Sequence, residues 1–306
     1  MNGAWIDGLH RELLRLRTPG PAWGNRSGGA SYVEPTALAA LALAASTPTT
    51  DADASRRAVA SAADWLKDLQ QVDGSLGISP DLPRPCWTTP LAILVWIATD
   101  RHHDSRRKAV DWLLAQQGTT WAPTGESPYG HDPRIAGWSW VEKTHSWLEP
   151  TAHAVLALRR AGLPSHARTR DGERLIRDRA IRTGGWNYGN SAVFGTDLQP
   201  QPAPTGLALL ALSGVEDADG PIVTLGCDYL ESILPTTRAP LSLCYGVLAL
   251  AAWGRRPSNS DEWLAAAHDR AARSSNCIPQ LAYLLLAAGT RSLELLGSPP
   301  ITPESP

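Results

Sequence analysis

The sequence has few of the residues that build disulfide scaffolds or phenylalanine-rich cores. Its 306 residues include one Phe, one Met and four Cys. The cysteines show neither a Cys-x-x-Cys pair nor the spacing of a disulfide framework, which favours a reducing compartment. They are Cys86, Cys227, Cys244 and Cys277. Tryptophan is abundant instead, with 13 residues, and Trp suits places that use both an apolar face and one N–H donor.

Charge and hydropathy exclude two further classes of protein. The 28 Lys and Arg balance 30 Asp and Glu, so there is no basic excess for binding nucleic acid. No apolar run approaches the roughly 18 residues of a transmembrane segment. The first residues resemble no signal peptide. We therefore expect a cytoplasmic protein that binds no nucleic acid.

A proline stands at the start of six similar segments, each followed by an almost uncharged run of Ala, Leu and Val. Proline is favoured at the first position of a helix, where its missing N–H is not needed. The first and last of these prolines lie 244 residues apart, a mean period of about 49 residues, which indicates a repeat architecture. They are Pro35, Pro90, Pro150, Pro204, Pro240 and Pro279.

The repeat predicts an all-α (α/α)6 toroid with six inner and six outer helices. Segments that are apolar on every side are typical of buried inner helices, and amphipathic segments are typical of outer ones. We expect inner helices at 34–46, 89–99, 149–162, 203–214, 240–253 and 278–289. We expect outer helices at 2–17, 52–71, 104–117, 168–182, 219–234 and 259–273. The toroid is expected over 1–296, with a flexible Pro-rich tail at 297–306.

Long, tryptophan-rich links lead from outer to inner helix at 18–33, 72–88, 118–148 and 183–202. Long loops are usually functional or disordered, and disordered segments are poor in aromatic residues. We therefore expect ordered loops around the mouth of a central cavity, although the same rings could instead tie the hairpins together. The candidate substrate-binding residues are Trp23, Trp87, Trp138, Trp140, Trp147, Trp186, Asn187 and Tyr188.

The ends of three repeats match parts of one order of residues: an aromatic–aliphatic pair, a Gln, then Gly-x-Trp. The matching segments are Trp65-Leu66 with Gln70 and Gly74, where Leu76 stands in place of the last Trp, a compressed version in Trp112-Leu113 with Gln117 and Trp121, and Gly184-Gly185-Trp186. This pattern resembles the QW motif of the squalene cyclase and prenyltransferase superfamily. The resemblance implies an (α/α)6 toroid and an isoprenoid or similar apolar substrate in an aromatic cavity.

The chain departs from that family at the positions that carry its chemistry. Class II terpene cyclases have an Asp-x-Asp-Asp acid, and protein prenyltransferases bind zinc through an Asp-x-Cys; neither motif occurs here. Cys86 with His145 or His153 is the only rough substitute for a zinc site. We therefore expect no metal and no cofactor, and protein prenyltransferase activity is disfavoured.

Three residues are candidate catalytic groups: Glu149, Asp197 and His145. Glu149, like Glu34, precedes the proline of an inner helix, where a carboxylate either stabilises the helix start or serves as a proton donor whose pKa is raised by burial. Asp197 either forms an Asx turn or acts as the acid. His145 lies in the longest loop, whereas His153 is expected to be a hydrogen-bonded core residue.

These observations favour a terpene-cyclase-like toroid that binds an isoprenoid or similar apolar molecule and starts its cyclisation or isomerisation with an acid. Two alternatives stay open. One is a non-catalytic toroid that binds a lipid or a peptide. The other is a carbohydrate-active (α/α)6 enzyme, which requires two cavity carboxyl groups about 5–10 Å apart. The carboxylates that point into the cavity distinguish them.

Overall fold

A computed structural model describes residues 3–17, 20–46, 52–123, 128–215, 220–274 and 277–297. Within these ranges the chain forms thirteen α-helices, one 3-10 turn (Leu234–Thr236) and one small hairpin. The helices are α1 (Gly3–Arg15), α2 (Val33–Ala45), α3 (Ala52–Asp68), α4 (Thr89–Thr99), α5 (His103–Ala115), α6 (Leu148–Arg160), α7 (Ala167–Asp178), α8 (Pro202–Leu212), α9 (Pro221–Ile233), α10 (Pro240–Ala252), α11 (Ser260–Ser274), α12 (Ile278–Ala288) and α13 (Ser292–Leu296). The hairpin pairs β1 (Ala192–Val193) with β2 (Thr196–Asp197).

Even-numbered and odd-numbered helices form two concentric layers. Each of α2, α4, α6, α8, α10 and α12 contacts the next in that order, and α12 contacts α2, so the inner helices form a closed ring. The odd-numbered helices α1 to α11 alternate with them along the chain. The predicted all-α toroid with six inner and six outer helices is therefore confirmed. The tail predicted at 297–306 lies, apart from Gly297, outside the described residues.

Composition decides which layer a helix joins. In α2 almost every residue is buried, and a helix without a polar face must be covered on all sides. The outer helix α3 buries only one stripe, including Ala58, Ala62 and Leu66, and keeps its charged residues in solvent. Gly206 allows α8 and α10 to approach closely, because a Cβ at this position would meet the backbone of Tyr245.

Three repeats share one set of hydrogen bonds that joins the two layers. A threonine hydroxyl near the start of the inner helix accepts the backbone N–H of a loop tryptophan at 2.9 Å in each case. The indole N–H of that tryptophan donates to a carbonyl of the preceding outer helix at 2.7–2.8 Å. The three sets are Thr36 with Trp23 and Leu13, Thr151 with Trp138 and Leu113, and Thr205 with Trp186 and Ile176.

The two ends of the ring differ. At the end where the inner helices finish, α13 contacts α2, α4, α6, α10 and α12, and the N–H of Arg291 donates to the carbonyl of Ala45. At the other end lie the long loops. The first residue of α2 and that of α6 each donate an N–H to the loop of the following repeat, and Ile278 donates to Asn25 at 3.1 Å, which closes the ring onto its first loop.

No helix in the described part of the chain is both long and apolar enough to cross a bilayer.

Candidate functional site

Five side chains from four inner helices interact near the axis of the ring. Glu149 and His153 lie one turn apart on α6, so they share a face of that helix. His153 Nε2 lies 3.0 Å from the Tyr245 hydroxyl on α10, and the ring centroids of Tyr245 and Tyr283 are 5.8 Å apart. Because α6 and α10 are separated by α8 in the ring, their side chains meet only inside it. Together with Glu34 of α2, we call these residues the axial cluster.

The surroundings of the axial cluster favour neutral groups. His153, Tyr245 and Tyr283 are buried, whereas Glu34 and Glu149 are half-buried. Desolvation, helped by the nearby Glu34 carboxylate, raises the pKa of Glu149 to about 7. Desolvation also raises the pKa of Glu34. Burial lowers the pKa of His153 to about 4, so its imidazole is neutral at pH 7.

The position of Glu149 at a helix start does not explain its pKa. A carboxylate in the first turn gains about 0.3–1 kcal/mol from the helix dipole, which favours the ionised form. The pKa moves the other way, so desolvation outweighs the dipole. Among the described residues, neither Glu34 nor Glu149 makes a side-chain hydrogen bond. Glu149 is therefore a carboxyl group that is about half protonated at pH 7.

The two tyrosines of the axial cluster also stay neutral, because burial raises the pKa of both phenols well above the usual value. Their rings supply the electron-rich faces that attract a cation. Tyr245 and Tyr283 were not among the predicted site residues. The signal was present, since each is an aromatic hydroxyl within the first two turns of an otherwise aliphatic inner helix.

The three predicted catalytic residues lie in different surroundings. Glu149 belongs to the axial cluster. Asp197 lies on the β2 strand, where its carboxylate accepts a hydrogen bond from Arg182 at 3.0 Å. His145 is exposed in its loop, and its ring lies 5.1 Å from that of Trp121. The carboxylate that acts on Glu149 electrostatically is Glu34. The catalytic roles of Glu149, Asp197 and His145 stay predictions.

Three of the predicted substrate-binding tryptophans are buried between the layers. Trp23 and Trp186 are fully buried and Trp138 is 4% exposed, each with its indole N–H bonded to an outer helix. The Arg168 guanidinium also covers the Trp138 ring, 4.3 Å from its centroid. These rings pack between the two layers, which is the hairpin-tying arrangement, and their substrate-binding roles stay predictions.

The remaining aromatic candidates line the loops. Trp87 and Trp140 are half-buried and meet edge to face at 5.1 Å. Tyr188 is 48% exposed. The Asn187 amide donates to the Gln199 carbonyl at 2.6 Å, which holds its loop in place.

Trp147 lines a cavity of about 250 Å³ between the third and fourth long loops. Other members of its wall are Trp121, Tyr129, His131, His145 and Arg179. We call it the loop cavity. Sequence reasoning found the loop tryptophans but missed Tyr129, His131 and Arg179, because nothing in their spacing places them beside Trp147.

No group of three or more His, Cys, Asp or Glu within the described ranges could hold a metal ion. Burial raises the pKa of the Cys86 thiol, whose sulfur lies 3.4 Å from the Thr88 hydroxyl. His153 contacts Tyr245 instead. The structure therefore provides no contact between Cys86 and a histidine.

The fold is similar to that of type II terpene cyclases. A variant of the type II terpene cyclase MstE from Scytonema, in complex with its substrate geranylgeranyl dihydroxybenzoate, superposes with a TM-score of 0.64 at 15% identity. The similarity covers 95% of this chain and 97% of that one. At this level of identity the similarity shows the fold alone.

Two other solved structures have a similar fold. A protein from Actinoplanes gives a TM-score of 0.61 at 15% identity, covering 94% of this chain and 99% of that one. Salmonella alpha-2-macroglobulin reacted with methylamine gives 0.54 at 15% identity, covering 92% of this chain but 17% of that one. No family model matches the chain, and neither does any curated protein.

Proposed function

We propose that this toroid binds an isoprenoid chain at the loop end of its inner ring and that Glu149 protonates it. The observation that carries the proposal is the raised pKa of Glu149, about 7, beside the two neutral tyrosines of the axial cluster. The similarity of the fold to a terpene cyclase that was solved with a geranylgeranyl substrate supports this choice of ligand.

The proposed reaction begins with the proton of the neutral Glu149 carboxyl. The π electrons of a substrate double bond form a new C–H bond to that proton, which leaves a carbocation and the Glu149 carboxylate. The faces of Tyr245 and Tyr283 stabilise the cation. A second double bond attacks it to close a ring, and loss of a proton to the Glu149 carboxylate gives the product and restores the acid.

The acid proposed here differs from the Asp-x-Asp-Asp acid of class II cyclases. A carboxyl group with a pKa near 7 is a weak donor to a double bond, so the reaction depends on how closely the ring holds the substrate against it. This argument favours a slow isomerase or cyclase. It also keeps open a toroid that binds the isoprenoid without turnover.

The test is incubation of the protein with squalene, geranylgeranyl diphosphate and a geranylgeranyl-substituted benzoate, with products identified by mass spectrometry. We expect a cyclised or isomerised product from at least one of them. Glu149→Gln keeps the shape of the side chain but removes the proton, so we expect a loss of about 100-fold or more in rate. The matched control is Glu142→Gln, an exposed loop glutamate, which should retain the rate.

Binding without any product would replace the catalytic proposal with a lipid-binding toroid. If the protein neither binds nor converts any of the three compounds, an isoprenoid function is rejected. Full activity in Glu149→Gln together with loss of activity in Glu34→Gln would show that Glu34 of α2, and not Glu149, is the proton donor.

A further inference from the structure

Arg179 is a buried cation whose hydrogen bonds are incomplete. It follows α7 and is 4% exposed, yet it lines the loop cavity. One terminal nitrogen, Nη1, donates to the neighbouring Asp178 carboxylate at 3.1 Å. Its Nε is buried and has no hydrogen-bond partner among the described residues. A buried donor without an acceptor is destabilising, so an acceptor supplied by a ligand would be strongly favoured.

Among the described residues, the guanidinium has one carboxylate partner, that of Asp178 at 3.1 Å. The Asp178 carboxylate is shared, since it also accepts the backbone N–H of Asp132 at 3.1 Å. Burial lowers the pKa of Arg179 to about 10, which shows that desolvation is the dominant influence on its charge. The Nε edge is one of the faces through which arginine binds a carboxylate with two parallel hydrogen bonds.

The rest of the loop cavity is an aromatic wall with one more unsatisfied polar atom. Tyr129 stacks on His131 with centroids 5.4 Å apart at 20°, and the Trp121 ring meets Tyr129 edge to face at 6.1 Å. The Nδ1 atom of His131 is buried without a partner in the described part of the chain. Planar apolar groups stack well on such rings. The aromatic wall therefore favours a ligand with a planar apolar group, and Arg179 favours one with a negative charge.

We propose that the loop cavity binds a small aromatic monocarboxylate, with its carboxylate on Arg179 and its ring against Trp121 and Trp147. The volume of about 250 Å³ lies below the range of roughly 300–1,000 Å³ typical of drug-sized pockets, which favours a single-ring acid. One partly compensated guanidinium suits a monoanion better than a phosphate dianion. This site is separate from the axial cluster and does not depend on the proposed cyclase function.

The test is to titrate the wild-type protein with benzoate, benzamide or inorganic phosphate and to measure binding by isothermal titration calorimetry. Benzamide keeps the ring but lacks the charge, and phosphate keeps the charge but lacks the ring. We expect benzoate to bind at least about tenfold more tightly than either, because only benzoate offers both a charged acceptor for Arg179 and a ring for the aromatic wall. Equal binding of benzamide, tighter binding of phosphate, or no binding of benzoate would overturn the proposal.

Variants assign the site. Arg179→Met should weaken benzoate binding at least about tenfold, whereas Arg182→Met, an exposed arginine three residues later, should leave it unchanged. Since loss of a buried arginine can impair folding, Arg179→Lys is the second variant: it keeps the charge but not the paired donors, and benzoate binding should weaken while circular dichroism stays native. Unchanged affinity in a folded Arg179→Lys or Arg179→Met protein would contradict the assignment.

Discussion

At the scale of single residues, Glu149 couples the stability of the fold to pH. Its pKa rises from the usual 4.5 to about 7 on folding, so the folded state holds the proton more tightly than the unfolded chain does. Its stabilising contribution is complete below pH 4.5 and is lost as the pH rises through 7. Burial of the carboxylate therefore destabilises the ring at alkaline pH.

We expect Glu149→Gln to gain stability relative to the wild type by about 2 kcal/mol between pH 5 and pH 8, an upper value because the side chain is half-buried. Urea unfolding at both pH values measures it. Comparison with the wild type at each pH cancels the opposite contribution of His153, whose pKa is lowered. Glu142→Gln should show no such change, and a pH-independent difference for Glu149→Gln would mean that Glu149 titrates normally.

The threonine of each layer-joining set is a second residue-scale feature with a testable cost. Thr151→Val keeps the shape but leaves the buried N–H of Trp138 without its acceptor at 2.9 Å. We expect a loss of about 1–3 kcal/mol in the free energy of unfolding. Thr224→Val, at an exposed position of α9, is the control and should change stability little. A loss no greater than that of the control would show that the hydroxyl is dispensable.

The sequence located the tryptophans but could not sort them. The repeat predicted that Trp138 and Trp147 lie in the same loop, but not that the Trp138 indole bonds to an outer helix whereas Trp147 lines the loop cavity. That difference depends on which side of the loop backbone faces the outer helix, which no local pattern encodes. The axial cluster was missed for a similar reason, because Tyr245 meets His153 across 92 residues of chain.

At the scale of the elements, the twelve helices of the two layers were predictable within a few residues, since proline and the apolar pattern act locally. The β1–β2 hairpin was not, because two-residue strands are too short to show alternation. The five-residue helix α13 was missed for the same reason, as it covers little more than one turn. Its position is set by the ends of the inner helices that it covers.

The close approach of α8 and α10 gives the element-scale prediction. A methyl group on Gly206 would press on the backbone of Tyr245, which cannot move without shifting α10. We expect Gly206→Ala to destabilise the protein by roughly 1–3 kcal/mol and to disturb the axial cluster. Gly8→Ala in α1 is the matched control: a Cβ there has no neighbour within 4 Å, so better helix propensity should stabilise by up to about 1 kcal/mol. Equal effects in a thermal melt would contradict the close packing.

At the scale of the whole molecule, closure of the ring determines how it unfolds. In an open repeat array the last repeat unfolds early when it is weakened, because it has one neighbour only. Here α12 packs on both α10 and α2, so it has no free side. We therefore expect the first and last repeats to unfold together with the other repeats and not before them.

Leu285 of α12 is fully buried, so we expect Leu285→Ala to reduce the free energy of unfolding by about 2–5 kcal/mol. The variant should still unfold in one transition, at a lower urea midpoint and with an unchanged m value. Leu225 of α9 is 42% exposed, so Leu225→Ala is the control and should lower the urea midpoint little. A separate early transition for Leu285→Ala would mean that the ring behaves as an open array.

The layer-joining tryptophans have a consequence for spectroscopy. Trp23, Trp138 and Trp186 are shielded from water, so their indole fluorescence should lie at short wavelength in the native state. Separation of the inner and outer helices admits water to all three rings and shifts their emission to the red. The protein thus carries its own optical reporter of contact between its layers, located in three of the six repeats and requiring no added dye.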